Sequence, residues 1–234
     1  MATDISNVSE RIKAVREWVD QQINTIISYK YDAHRLILIC SLIDAFAQND
    51  AGYPRGNNTK HFSDFVIQYS KKNSAILSEV CPVTLFYDAF QDASIELNLP
   101  SHAILCAGNS ALVNESNRLI SLLPEKERDN KSCRHRYASL IYAMRNKLTH
   151  ELNLLNIAPN FFADEEEQVP HVACESTIVN GKLEHKAWRL HIPERFVFDV
   201  AEDAIKGYLQ YCERIGSDPF YNNNYERSCF YSWH

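Results

Sequence analysis

Glycine is scarce. The chain of 234 residues holds six, Gly52, Gly56, Gly108, Gly181, Gly207 and Gly216, and no two or three of them build the phosphate-cradling loop of a dinucleotide fold or a Walker motif. Both classes of nucleotide enzyme are thereby set aside. Positive charge is not in excess either: 24 Lys and Arg against 30 Asp and Glu give a net charge of -6 and a pI near 5.8. The whole-protein field therefore repels nucleic acid at long range and does not predict nonspecific DNA binding, so no DNA partner is expected and a polyanion must find a local patch. Long apolar runs are absent. The longest, Leu36 to Ile43, stops at Asp44, far short of the roughly 20 residues of a membrane span, so no membrane partner is expected. The seven cysteines contain no Cys-x-x-Cys pair, which excludes a zinc ribbon. With no signal peptide expected ahead of them, they read as reduced thiols of a cytoplasmic protein without metal or cofactor.

What is present suits one packed domain: 45% of residues are hydrophobic and 23% charged, and the length supports a single sizeable core. Ile12, Val15, Val19, Ile23, Ile26 and Ile27 recur at three- and four-residue steps between Ser9 and Ile27, and a second apolar run follows from Leu36 to Phe46. Two long helices are predicted there. Turn-forming residues fill Asn49 to Lys60, after which His61–Tyr69, Val83–Leu97 and Ala103–Leu123 read as helices separated by Pro82 and Pro100. From His171 to Ile192 the residues alternate around Asn180-Gly181, the signature of a β-hairpin, and Pro193-Glu194 opens a last helix that runs to Gly216. The fold class is mainly α: a helical bundle over residues 1–156, then an acidic connection (Asp164–Glu167), hairpin, final helix and aromatic tail over 157–234, packed on the same domain.

One further helix, from about Cys133 to Leu155, carries the most information. Tyr137, Leu140, Ile141, Met144, Leu148, Leu152 and Leu155 form its apolar stripe. Its other side holds His135, Ser139, Tyr142, Asn146 and His150, polar but short of Lys and Glu, as a wet interface between two copies would be. Lys131, Arg134, Arg136, Arg145 and Lys147 occur between 131 and 149 without a single acid, giving this acidic protein one basic stretch for RNA. Arg145 and His150 are five residues apart, about 140° around an ideal helix, so within one copy they do not point together. Across a twofold axis two such helices bring two Arg and two His into one cleft. Asp44, an acid in an otherwise apolar helix, needs a cation nearby, and Arg145 suits it. The neighbouring Cys133-Arg134-His135, and His185 with His191 at strand spacing, read as structural.

The string Met144-Arg145-Asn146-Lys147-Leu148-Thr149-His150, near the C-terminal end of a long helix, resembles the motif of the HEPN superfamily: Arg, four to six residues, then His, with a polar residue commonly after the Arg. The resemblance covers roughly residues 30 to 155. It implies a dimerising helical bundle and, in active members, a metal-independent endoribonuclease of toxin-antitoxin and antiphage defence systems, which can have an antitoxin or defence partner. Arg145 and His150 take the family's catalytic positions, and Asn146 that of its supporting residue. Glu151 and Leu152 follow His150, so the Tyr that some members carry two residues after the His is missing, and with it the AMPylation switch. His as proton carrier and Arg as fixed cation suit RNA cleavage to a 2',3'-cyclic phosphate and a 5'-hydroxyl.

Overall fold

The computed structural model describes residues 5–50, 56–90, 94–100, 104–151, 168–179 and 182–220, the side chains of 5–7, 150–151, 175–179 and 182–186 excepted. In chain order the elements are α1 (Ile5–Ile27), α2 (Asp32–Asp50), α3 (Asn58–Tyr69), α4 (Ser74–Ser78), α5 (Pro82–Ala89), β1 (Leu105–Cys106), α6 (Ser110–Leu122), α7 (Glu125–Arg134), α8 (Tyr137–Glu151), β2 (His171–Val179), β3 (Lys182–His191) and α9 (Glu194–Ile215). The protein is mainly helical, with a small antiparallel sheet in the order β1-β2-β3.

Helices α1, α2, α3 and α9 lie where the periodicity predicts, and helix ends follow local chemistry. Pro82 begins α5, where a missing N–H costs nothing. Asn109 caps α6 through its side chain, which accepts the Ala111 N–H at 2.8 Å. Gly216 closes α9 in the left-handed region at φ 65°. The hairpin strands pair from His171 opposite His191 to Val179 opposite Lys182, with a bulge between Thr177 and Ile178. The Asn180-Gly181 turn itself lies outside the described residues, as do Leu152, Leu155, the acidic run 164–167 and the tail beyond Phe220.

Three predicted helices are corrected. The Val83–Leu97 segment stops being helical at Ala89, and residues 94–97, non-helical, belong to a stretch fastened to α6. The Asn98 N–H donates to the buried Glu115 carboxylate at 2.8 Å, and Arg118 donates to the Glu96 carbonyl at 2.8 Å. Ala103–Leu123 splits into β1 and α6, since Leu105 and Cys106 pair with Val172 and His171. The helix expected from Cys133 begins at Tyr137. Residues 79–81 run antiparallel to 135–137 there, with the Tyr137 N–H bonded to the Glu79 carbonyl at 3.0 Å and the Cys81 N–H to the His135 carbonyl at 2.9 Å. That pairing takes the backbone groups a continuous helix would use, and α7 becomes a separate helix.

One core joins most elements. Ile12, Ile39, Ile43, Phe46, Phe62, Phe65, Tyr137 and Ile141 are sealed in it together with Phe196, Val197, Val200, Ala201, Ala204 and Ile205 of α9. The last helix is thus part of the bundle and packs on α1, α2 and α3; it is not an addition to a finished core. Leu85, Phe90, Leu119 and Leu123 form a smaller cluster between α5 and α6. Arg35 clips the start of α2 to the start of α9 by a two-pronged bond to Glu194, at 2.7 and 2.8 Å.

Candidate functional site

Helix α8 lies against α2 on one side and α3 on another, and Arg145 emerges near its C-terminal end. Its guanidinium is held at several points. Nη1 donates to Asn146 Oδ1 at 3.0 Å. Nη2 stands 3.8 Å from Asp44 Oδ2 on α2, the side chains being 23% and 16% exposed. Gln48, one turn further along α2, donates to the other Asp44 oxygen at 3.3 Å. The Tyr142 ring, one turn back along α8, has its centre 5.8 Å from the guanidinium carbon, within cation–π range. Phe62 of α3 backs that ring at 5.2 Å. Arg145 Nε is buried with no hydrogen-bond partner among the described residues.

Asp44 therefore stands beside Arg145, the pairing its place in an apolar helix suggests, and Asn146 touches the same cation. Cys40 lies one turn before Asp44 and is sealed from solvent. Burial pushes its thiol up to about 12, with Arg145 drawing it down and Asp44 driving it up, so at neutral pH it is an uncharged filler. His150 stands on α8 one residue before its end; its side chain lies outside those described. Thr149 returns its hydroxyl to the Arg145 carbonyl at 2.8 Å.

No family model, curated protein or solved structure matches the chain. The site must speak through its own geometry.

That geometry corrects the polar face expected to open onto a second copy. His135, Ser139 and Tyr142 are buried inside the chain. Ser139 Oγ lies 2.9 Å from Ser63 Oγ of α3 and donates to the Cys133 carbonyl at 2.6 Å. His135 is held between Thr84 Oγ1 at 3.1 Å and Asp88 Oδ2 at 3.0 Å, both on α5. Burial holds its imidazole below the ordinary 6.5, against the pull of Asp88. The basic stretch is broken up as well. Lys131 and Arg134 are on α7, with Lys131 paired to Asp88 at 2.6 Å. Arg136 sits in the junction, its backbone bridged to Val80. Only Arg145 and Lys147 share α8, and Tyr137, where α8 begins, is already about 12 Å along the axis from Arg145.

Sequence reading missed three partners of the site: Gln48, Cys40 and Phe62. Gln48 had a signal, since it is at i+4 from Asp44 and so on the same face of α2. Phe62 had none, because its contact with Tyr142 spans 80 residues of chain. Elsewhere, His171 and His191 stack face to face across the hairpin, with ring centres 5.0 Å apart at 2°. Among the described residues no three His, Cys, Asp or Glu are grouped to hold a metal ion, and no helix is long and apolar enough to cross a membrane.

Proposed function

We propose that the protein is a metal-independent endoribonuclease of HEPN type, acting as a homodimer with a composite site, in a toxin or antiphage defence role. One observation carries this reading. Arg145 is oriented by Asp44, Asn146 and Tyr142, and among the described residues its guanidinium donates a single hydrogen bond; on this reading its remaining Nη donors meet a ligand's phosphoryl oxygens. An oriented cation with spare donors is what stabilises the charge that develops at phosphorus in RNA cleavage.

His150 follows within two turns on the same helix. In the reaction it takes the proton of the 2'-hydroxyl; the 2'-oxygen bonds to phosphorus and the bond from phosphorus to the 5'-oxygen breaks. The leaving oxygen is protonated by the second copy of His150 in the composite site, as imidazolium. The products are a 2',3'-cyclic phosphate and a 5'-hydroxyl. Asp44 and Asn146 hold Arg145 and do no chemistry. Lys147 and the cations of α7 serve, on this reading, as outlying contacts to the RNA backbone.

A second reading, a noncatalytic module that binds RNA or nucleotide or serves assembly, draws on the burial of His135, Ser139 and Tyr142, which leaves that face unable to line a cleft. The two are separated by cleavage of end-labelled single-stranded RNA, with and without EDTA, by wild type, His150→Ala, Arg145→Lys and Asp44→Asn, with end-group analysis. His150→Ala is expected to lower the rate by about 10² to 10⁴. Arg145→Lys should not restore function, because an ammonium lacks the planar fork, and Asp44→Asn should lose activity and stability together. Undiminished cleavage by His150→Ala, or cleavage abolished by EDTA, refutes the mechanism. RNA binding by a well-folded but inactive wild type favours the second reading.

A further inference from the structure

We infer that Tyr142, backed by Phe62, is the positioning residue that sets the plane of the Arg145 guanidinium, so that α3 as well as α2 shapes the site. The inference rests on reading Arg145 as the cation that meets the phosphoryl group. A guanidinium is planar and its donors lie in that plane, so its usefulness to a phosphate depends on the orientation of the plane as well as on its charge. The polar contacts of the guanidinium leave this orientation open. Asp44 Oδ2 at 3.8 Å is an ion pair too long for a hydrogen bond and defines distance more than direction. Asn146 fixes Nη1 alone. The buried Nε makes no bond to the described residues, so none of them stops rotation there.

The remaining contact is the ring. Tyr142 is three residues before Arg145, the spacing that stacks side chains along a helix, and its centre lies 5.8 Å from the guanidinium carbon. The ring is in turn immobilised. It is buried, and Phe62, itself fully buried on α3, lies against it at 5.2 Å and 50°. One turn earlier the hydroxyls of Ser63 and Ser139 meet at 2.9 Å, which fixes how far α3 can slide along α8. A chain of contacts thus runs from the α3–α8 register through Phe62 and Tyr142 to the guanidinium plane. It requires the aromatic face and not the hydroxyl.

A cation that turns freely still attracts a phosphate in the ground state but meets the transition state misaligned. The effect of loosening it therefore falls on kcat more than on KM. The experiment compares wild type, Tyr142→Phe, Tyr142→Leu and Phe62→Leu by two readouts. The first is steady-state cleavage of labelled single-stranded RNA. The second is the ¹⁵N-resolved NMR signal of the Arg145 Nε–H, assigned by its loss in Arg145→Lys, which needs no activity. Tyr142→Phe should keep both kcat and a ring-shifted, slowly exchanging Nε–H signal. Tyr142→Leu should lose the ring shift and lower kcat by about tenfold with KM within about twofold, and Phe62→Leu should show a smaller change of the same kind should Tyr142→Leu not fold. An Nε–H signal and a kcat unchanged in the folded leucine variants overturn the inference. A wild type that does not cut RNA, but whose Nε–H signal responds to Tyr142→Leu as described, overturns the ribonuclease reading and leaves the ring's hold on Arg145 standing.

Discussion

Gly207 is in the middle of α9, and a Cβ built there would lie 2.2 Å from the Tyr69 carbonyl oxygen and 3.1 Å from its carbonyl carbon. Backbone cannot swing aside as a flexible side chain can, so Gly207→Ala must push the end of α3 away by about 1 Å to reach ordinary contact. That end is also tied down one turn earlier on α9. Asp203 accepts the Ser70 hydroxyl at 2.9 Å and the Lys72 N–H at 2.8 Å, and the shift strains both bonds. Overpacking of this kind costs about 1–3 kcal/mol and occasionally more. Loss of the hydrogen bonds adds about 1 kcal/mol, while alanine's better helix propensity returns about 1 kcal/mol. The expected net loss is about 2 kcal/mol, or about 4–8 °C in Tm for a chain of this size, read by thermal and urea denaturation against wild type. Gly216→Ala is the control for strain without a clash, since nothing stands within 4 Å of a Cβ there and its φ of +65° alone opposes a side chain. A Gly207→Ala variant as stable as wild type, or more stable as propensity alone would have it, refutes the close-packing argument. Because α3 also carries Phe62, the same variant should disturb the Arg145 Nε–H signal.

Arg35→Lys should lower stability by about 1–2 kcal/mol, because the two-pronged bond to Glu194 shrinks to a point contact; an unchanged urea midpoint would count against the clip between α2 and α9. Acid should weaken the fold through Glu115. Burial alone would raise its carboxyl, but the bonds from Arg118 and the Asn98 N–H outweigh burial and hold it below the ordinary 4.5. Its contribution is thus fully present above about pH 4.5 and is lost as pH falls through the lower folded value. Glu115→Gln, less stable at pH 7, should show a flatter loss between pH 4.5 and 3 in urea titrations, and a parallel curve would sink the assignment.

The parts of the fold legible in sequence are those set by neighbours along the chain. The apolar steps of α1, the Pro193-Glu194 start and Gly216 end of α9, and the Asn180-Gly181 pairing of β2 with β3 all act within a few residues. Asp44 was legible for a different reason: an acid inside Leu42, Ile43, Ala45 and Phe46 needs a partner, and a cation such as Arg145 suits it. What escaped is non-local. The break between α7 and α8 is made by residues 79–81, more than 50 positions away, competing for the 135–137 backbone. The polar stripe of α8 looked open because sequence displays the polarity of Ser139 and His135 and hides what satisfies it, Ser63 in one case and Thr84 with Asp88 in the other.

This burial changes how an anion can reach the site. Ala143 and Lys147 lie on the outer side of α8, exposed and half-buried, while Arg136 precedes the helix and Leu140 packs half-buried against the core. Lys147 is two residues past Arg145, about 200° around the helix, so the two cations face opposite ways. Lys131 is spent on Asp88, and Arg134 belongs to a different helix. The five basic residues that read as one stretch in the sequence are thus divided between α7, α8 and the junction between them, on a protein of net charge -6. On the proposed function, what Arg145 offers a phosphoryl group is a cation oriented by its neighbours Asp44, Asn146 and Tyr142. On that reading, recognition depends on the direction of a few hydrogen bonds and little on accumulated charge. This is why the contacts that orient the guanidinium, Asp44, Asn146 and the Tyr142 ring, matter more to the site than the number of lysines and arginines around it.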